Sequence, residues 1–230
     1  MKIYLLIFKT ADSACSATAY LTGVKGNYAT IGVNGKVRLN DCKASLDKKN
    51  HASSIMNWAQ DAKKSTGIVT TTRVTHASPA GSYAHVANRD YECDADMLKF
   101  PNIKDCMGHD IATQLIRNKP GRNFNVIYGG GRKKFISKNI IDDKGVRGER
   151  LDNLDLIDEW LEKKRSPAMY ISDRKSLLSM NHTAIENVLG LFAPSHLDYH
   201  LEENQQEPSL AEMTKSAIEI LSKNKDGFVL

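Results

Sequence analysis

The feature that most constrains the fold is an alternation of short β-branched runs with amphipathic helical segments. Residues 68–74 and 124–128 read as buried strands. The strongest helix prediction is 209–223, where Ser209 and Glu212 form a capping box ahead of apolar residues at helical spacing. Such alternation is typical of helices that flank a largely parallel sheet. We therefore expect an α/β fold, with residues 1–230 forming a single domain.

Weaker patterns extend the same alternation along the chain. Apolar spacing predicts further helices at 14–21, 53–65, 110–118 and 152–165, and strands at 168–171, 188–192 and from Phe228 onward. Gly67 is expected to end the helix at 53–65, and the three glycines at 129–131 to close the strand before them. The apolar run 3–8 is too short for a signal peptide and favours a buried strand.

Composition excludes several classes of protein. With 41% apolar and 26% charged residues, the chain is typical of a globular protein rather than a disordered one. The net charge of +5 is mild, and its densest basic stretch, 132–134, is short. This indicates a solvated face and no nucleic-acid partner. No apolar stretch is long enough to span a bilayer.

The first candidate for chemistry is Ser13, which follows Asp12 at the predicted start of a helix. Free backbone N–H groups and the positive end of the helix dipole favour an anion at that place. A hydroxyl there could simply cap the helix, or it could attack a phosphoryl group whose charge the helix helps to bear. These residues alone leave both alternatives open.

The second candidate lies in the long connection 75–103, which has no clear predicted structure. His76 and Ser78 are two positions apart, so in an extended segment they would point to the same side. The hydroxyl of Ser78 suits Mg²⁺, and His76 could orient a water bound to that ion. Arg89 could clamp two phosphate oxygens. The alternatives are a polar loop that satisfies its own backbone and an arginine in a surface salt bridge.

The four cysteines lie at positions 15, 42, 93 and 106 and form no CxxC pair, so their spacing does not favour a zinc finger. One or two disulfides in an oxidising compartment are possible.

Residues 12–20 and 69–89 together resemble the metal-dependent alkaline phosphatases, most of all the animal enzymes. The resemblance continues through 110–116, 128–133, 190–192 and 208–214 in the same order. It implies a three-layer α/β/α sandwich and hydrolysis of small phosphomonoesters through a phosphoserine intermediate. The implied cofactors are two Zn²⁺ ions and one Mg²⁺ ion.

The resemblance also implies a role for each candidate residue. Ser13 matches the attacking serine, which also touches one zinc, and Arg89 matches the arginine that holds the non-bridging oxygens of the substrate. Ser78 matches a magnesium ligand, and His76 matches the residue that lies next to that ligand without binding the ion itself. The remaining histidines, at positions 51, 85, 109, 196 and 200, show no metal-binding spacing and are expected to be ordinary surface or core residues.

Other expectations concern covalent features and location. Cys42 and Cys106 resemble a family disulfide pair, and Asn181 begins a glycosylation sequon. The full-length relatives are expected to be homodimers at the cell surface, held by a lipid anchor, although this chain shows neither a convincing signal peptide nor an anchor signal. Ala193 stands where the animal enzymes have an acidic calcium ligand, and Glu207 near the position of another, which puts that calcium site in doubt.

The motif that supplies an aspartate to zinc and magnesium, and the later zinc ligands, find no match in this sequence. We therefore expect an incomplete domain with a partial sheet, inactive when isolated. The alternative is a non-catalytic homologue with a binding or scaffold role. A Ser-His-Asp hydrolase is disfavoured because the Gly-x-Ser-x-Gly elbow is missing.

Overall fold

The computed structural model describes residues 10–101, 103–142, 144–164, 166–202 and 206–230. Its centre is a five-stranded parallel sheet in the order β3-β4-β2-β1-β5. The strands are β1 (Ser65–Arg73), β2 (Val126–Gly130), β3 (Ala168–Ile171), β4 (Asn187–Ala193) and β5 (Phe228–Val229). The strand predicted at 3–8 lies outside the described residues.

Helices fill the connections between the strands. They are α1 (Ser13–Thr22), α2 (Cys42–Leu46), α3 (Ile55–Asp61), α4 (Ala77–Ala80), α5 (Asp94–Met97), α6 (Ile111–Arg117), α7 (Leu156–Lys163), α8 (Arg174–Ser179) and α9 (Leu210–Leu221). The predicted capping box of α9 is confirmed, since the Ser209 hydroxyl accepts from the Glu212 N–H and the Glu212 carboxylate accepts from the Ser209 N–H. None of the described helices is long and apolar enough to cross a membrane.

The sheet is covered on both faces, which confirms the predicted three-layer α/β architecture. Ile127 of β2 joins the core that includes Leu115 of α6 and Trp160 of α7. Its neighbour Tyr128 points to the opposite face and joins the core that includes Met213 of α9. This division follows from the two-residue period of a strand, because consecutive side chains alternate between faces. Continuous apolar strands are expected where both faces are buried.

Two predicted boundaries are wrong, and both involve glycines inside strands. Gly67 does not end a helix but lies in β1, where a Cβ atom would come within 3.0 Å of the Val126 carbonyl oxygen. Gly129 and Gly130 belong to β2, so that of the three predicted glycines only Gly131, with a φ of 94°, follows its end, and a Cβ on Gly130 would lie 2.0 Å from the Ser195 carbonyl oxygen. In each case glycine allows close passage of another backbone rather than a turn.

The connection 75–103 also differs from the prediction of a segment without structure. It contains α4 and α5, each of four residues, which is too short for apolar periodicity to appear in the sequence. Helix α4 packs directly against α1. The approach is so close that a Cβ on Gly81, which follows α4, would lie only 2.6 Å from the Cβ of Ala17. This close packing brings the segment after β1 beside the start of α1.

Candidate functional site

The start of α1 is organised by Asp12, which is the N-cap residue in place of Ser13. Its carboxylate accepts hydrogen bonds from the backbone N–H groups of Ala14 at 3.1 Å, Cys15 at 3.2 Å and Ala29 at 3.0 Å. Burial would raise the pKa of this carboxyl, but the hydrogen bonds from Cys15, Ala29 and Ala14 lower it to about 2. Because an aspartate that is ionised at neutral pH caps the helix, the Ser13 hydroxyl is not needed for capping.

Ser13 is the first residue of α1, and its hydroxyl is held by Arg89. Arg89 Nη1 donates to Ser13 Oγ at 2.8 Å and to Asp12 Oδ2 at 3.0 Å. The two partners are 76 positions apart in the chain. The Arg89 side chain is 23% exposed, so the guanidinium is open to solvent on one side while the Asp12 carboxylate is almost covered.

Ala29 braces this arrangement through its backbone, and the sequence reading missed it. Its N–H donates to Asp12 Oδ1, and its carbonyl accepts from the Arg89 N–H at 2.8 Å. Ala29 has a φ of 58°, in the left-handed region that disfavours residues other than glycine, asparagine or aspartate. No sequence signal marks an alanine for that conformation.

His76 joins the same group from the N-cap position of α4. Its Nε2 lies 3.2 Å from Arg89 Nη2, and since the guanidinium can only donate, this ring nitrogen is the acceptor. Burial lowers the pKa of His76, and the positive charges of Arg73 and Arg89 lower it further. A neutral imidazole with its proton on Nδ1 fits both observations.

Ser78 lies in α4, so the expectation of an extended segment from His76 to Ser78 is wrong. Pro79 sits in the first turn of this helix, where an N–H is not required. The Ser78 hydroxyl is half-buried and forms no hydrogen bond within the described part of the chain. This hydroxyl is therefore free to bind a ligand, but within the described residues it forms no hydrogen bond with Ser13 or Arg89.

A second polar network, which the sequence reading did not predict, lies next to His76. Arg73 forms a two-pronged pair with Glu92, with its Nε 2.7 Å from Oε2 and its Nη2 2.6 Å from Oε1. Thr75 donates to the same carboxylate at 2.6 Å. Burial would raise the pKa of Glu92, but the bonds from Arg73 and Thr75 lower it.

His196 was expected to be an ordinary residue, yet it lies at this network. Its ring stands edge-on to His76 with 5.1 Å between centroids, and its Nδ1 accepts from the Arg73 N–H at 3.2 Å. Both rings border an open cavity of about 670 Å³ that also includes Tyr199 and Glu207 in its lining. This cavity gives a solvent path to His76. No spacing in the sequence links position 196 with 73 or 76, so only the fold could reveal the contact.

The residues around Ser13 do not by themselves form a metal centre. Among the described residues, the one group of three His, Cys, Asp or Glu side chains close enough to share an ion is Cys93, Asp96 and Glu149. There the ammonium of Lys134 already lies 2.7 Å from Asp96 and 2.6 Å from Glu149. The two hydroxyls and one imidazole predicted to serve the metals are too few to hold two zinc ions and a magnesium ion.

The remaining predicted positions lie away from this group. Cys42 and Cys106 are joined in a disulfide with a Cα–Cα distance of 5.8 Å, which is the pairing that the resemblance implies. Asn181 is exposed. Ala193 is buried in β4, and the Glu207 carboxylate accepts from the Asp198 N–H at 2.8 Å.

Comparison with known proteins identifies the family to which this fold belongs. The family model described as alkaline phosphatase matches residues 1–230. A membrane-bound alkaline phosphatase of Bombyx mori is 46% identical over 234 residues, covering 100% of this chain and 42% of that protein. The chain therefore belongs to the alkaline phosphatase family, whose members are phosphomonoester hydrolases. It spans 42–48% of the length of the curated relatives it matches.

Solved structures support the same assignment. A cold-active alkaline phosphatase from Shewanella sp. superposes with a TM-score of 0.65 at 27% identity, covering 96% of this chain and 42% of that one. A mutant of the alkaline phosphatase from the Antarctic bacterium TAB5, with Mg bound in its M3 site, has a TM-score of 0.63 at 23% identity. That match covers 95% of this chain and 49% of the TAB5 chain. At that identity the second likeness concerns the fold alone.

Proposed function

We propose that this chain carries the phosphate-accepting half of a phosphomonoester hydrolase, with Ser13 as the nucleophile. The observation that carries the proposal is the position of Arg89 Nη1, 2.8 Å from Ser13 Oγ and 3.0 Å from the Asp12 carboxylate. A guanidinium aimed at a serine hydroxyl at a helix N-terminus suits a group that receives a phosphoryl dianion.

In the proposed reaction, Ser13 Oγ forms a bond to phosphorus and the ester P–O bond breaks, so that an alcohol leaves with a proton. Water then cleaves the phosphoserine and releases inorganic phosphate. The guanidinium of Arg89 spreads the charge of the phosphoryl oxygens in both steps. The Asp12 carboxylate holds Arg89 in place by accepting from its Nη1, and the neutral ring of His76 accepts from Arg89 Nη2. These groups supply positioning and charge neutralisation, which are what phosphoryl transfer most needs.

For the cofactors, we propose that Ser13 contributes to a zinc site and that Ser78 binds magnesium. His76 lies next to the magnesium ligand without binding the ion itself. The metal dependence of the family and the unpartnered hydroxyl of Ser78 support this assignment. The donors within the described residues are too few to hold these ions, so we assign no step of the reaction to a metal. For the same reason we propose that the isolated chain binds phosphate without turning over esters. A non-catalytic binding role is the alternative that this shortage favours.

We further propose a cell-surface location, glycosylation at Asn181 and a homodimeric full-length form with a lipid anchor. The exposure of Asn181 supports its glycosylation, and the disulfide between Cys42 and Cys106 supports an oxidising compartment. The membrane-bound silkworm relative supports the surface location.

A chimera tests the catalytic proposal, since it adds whatever groups the rest of an alkaline phosphatase contributes. The matching 42% of the silkworm enzyme is replaced by this chain, and hydrolysis of an aryl phosphate is measured with zinc and magnesium present. We expect turnover by the chimera, none by the isolated chain, and a loss of at least about a thousandfold in the Ser13→Ala chimera. An active chimera that keeps its rate after Ser13→Ala would refute the role of Ser13. An inactive but folded chimera would favour the binding role.

A further inference from the structure

A second cavity, of about 430 Å³, lies apart from the Ser13 site and is lined by positive groups. Four cationic side chains border it: Lys48, Arg117, Lys119 and Arg122. No carboxylate is among its described lining residues. Its volume is within the range of small-molecule sites.

Three of these cations have no ionic partner among the residues that the structure describes. Arg117 is paired with Glu159 through two bonds of 2.7 Å. Lys48, Lys119 and Arg122 are exposed, and their side chains form no ion pair within the described ranges. Like charges that share one cavity repel each other, and a bound anion would relieve that repulsion.

The cavity and the Ser13 site lie at different edges of the sheet. Arg122 precedes β2, so the wall that it forms with Lys119 lies at the amino ends of the parallel strands. His76 follows the carboxyl end of β1. Neither Ser13 nor Arg89 lines the cavity. Binding at the two places can therefore be measured separately.

A stacked pair of histidines forms another wall. The rings of His51 and His85 are parallel within 8°, with 4.1 Å between centroids. His85 Nδ1 donates to the Gly32 carbonyl at 2.6 Å and His51 Nε2 donates to the Ser45 carbonyl at 2.8 Å, since a carbonyl can only accept. The other nitrogen of each ring has no hydrogen-bond partner among the described residues.

Gln114 fixes this wall to the backbone. Its Oε1 accepts from the His85 N–H at 2.9 Å, and its Nε2 donates to the His109 carbonyl at 2.7 Å. Gln114 thus holds the backbone at His85, and the bonds to the Gly32 and Ser45 carbonyls hold both rings in one orientation before any ligand arrives. A rigid cavity wall reduces the entropy lost on binding.

We propose that this cavity binds a small multivalent oxyanion, of the class of diphosphates and disulfonates. A ligand with two anionic groups can reach several of the unpaired cations at once, whereas a single monoanion cannot. The guanidinium of Arg122 offers a planar fork suited to such oxygens, and the two lysines add mobile point charges.

The test measures binding of methylenediphosphonate, whose P–C–P link resists hydrolysis, by titration calorimetry. All variants carry Arg89→Ala, which weakens binding at the Ser13 site. We expect the Lys119→Gln/Arg122→Gln variant to bind at least about tenfold more weakly than the Arg89→Ala parent. The matched control is Lys215→Gln/Lys225→Gln, which removes two exposed charges outside the cavity. It should change affinity less than about twofold.

Three outcomes would overturn the proposal: no binding by the parent, equal affinity in the cavity variant, or an equal loss in the control. The first would leave only a solvated basic face, and the last would indicate general charge attraction. None of them bears on Ser13, because that proposal is tested by phosphate transfer.

A second ligand tests the histidine wall. Methanedisulfonate stays fully ionised, so any change in its affinity with pH comes from the protein. The charged or titratable groups near His51 are Lys48, Asp47 and His109. His85 stacks on His51, and Arg117, Lys119 and Arg122 line the same cavity. Burial lowers the pKa of both rings, that of His85 to about 4, so they are neutral near pH 8 and gain protons only below pH 6. We therefore expect tighter binding near pH 5 than near pH 8, because a protonated ring turns its unpartnered nitrogen into a donor. Equal affinity at both values would exclude a contribution from the pair.

Discussion

Two Arg–Asp pairs in this protein look alike but differ in exposure, and the difference separates a ligand site from a structural clamp. In both, the aspartate is the N-cap of a helix: Asp12 for α1 and Asp110 for α6. The Arg150 and Asp110 side chains are 0% exposed, whereas Arg89 is 23% exposed. The same chemistry is therefore closed in one place and open in the other.

The closed pair uses its donors within the protein. Arg150 donates to Asp110, to Asp152, to the Thr113 hydroxyl at 3.2 Å and to the Lys134 carbonyl at 3.2 Å. Nothing is left for a ligand. The open pair directs one nitrogen to a serine hydroxyl and another to an imidazole, and its exposed side leaves room for phosphate oxygens. Since both arginines also bond a hydroxyl, the comparison teaches that solvent access, rather than the ion pair itself, marks the site.

The largest effect is expected from opening the closed pair. Arg150→Ala would leave the buried Asp110 carboxylate without its charge partner, at a cost of about 3–5 kcal/mol in the free energy of unfolding. Denaturant unfolding measures this value. Adding Asp110→Asn to the variant should restore part of the loss, since the uncompensated charge is then gone. A loss below about 1 kcal/mol would show that the pair is not a clamp.

A smaller effect is expected from pushing α1 and α4 apart. Helix α1 begins with Ser13 and α4 is capped by His76, and these two residues contact Arg89 of the open pair. Gly81→Ala places a methyl group only 2.6 Å from the Cβ of Ala17 and should cost about 1–3 kcal/mol in stability. Gly35→Ala is the matched control, because its added Cβ meets nothing closer than 3.9 Å. Equal stability of the two variants would contradict the tight α1–α4 contact.

Removing the open pair should scarcely affect stability but should reduce phosphate binding. Arg89→Ala is expected to change the free energy of unfolding by less than about 1 kcal/mol and to weaken binding of inorganic phosphate at least about tenfold. The titration uses the Lys119→Gln/Arg122→Gln background, so that only the Ser13 site reports. Arg89→Lys keeps the charge but loses the planar fork, so its affinity for phosphate should lie between those of Arg89→Ala and the parent. Unchanged phosphate affinity in Arg89→Ala would remove Arg89 from the site.

The smallest effect concerns acid stability. The pKa of Asp12 is about 2 in the folded protein, below its ordinary value of 3.8, so the stability it contributes is complete above that ordinary value. It is lost as the pH falls from about 4 towards about 2. Unfolding midpoints measured across this window should fall less steeply in Asp12→Asn than in the parent. Parallel profiles would contradict the lowered pKa.

These contrasts also show how far the sequence reading reached. The helices α6 and α9 were predictable because their caps and apolar spacing are local signals. Gly67 and Gly130 misled the reading, since a glycine that permits close strand packing looks the same as one that ends an element.

The site was predictable only through the family resemblance. Nothing local joins Ser13 to Arg89 across 76 positions, and the contacts of Ala29 and His196 depend on where the fold places their backbones. The role of Asp12 as the cap had a local signal, an aspartate ahead of small residues, but Ser13 offered the same signal one position later.

The most direct test of the central proposal is to trap phosphate on the protein. The silkworm chimera is incubated with an aryl phosphate, quenched in acid and digested, and the peptide that contains residues 12–20 is analysed by mass spectrometry. A phosphoserine at Ser13, absent from the Ser13→Ala chimera and reduced in the Arg89→Ala chimera, is the predicted result. A chimera that hydrolyses the ester while Ser13 never carries phosphate would contradict the account.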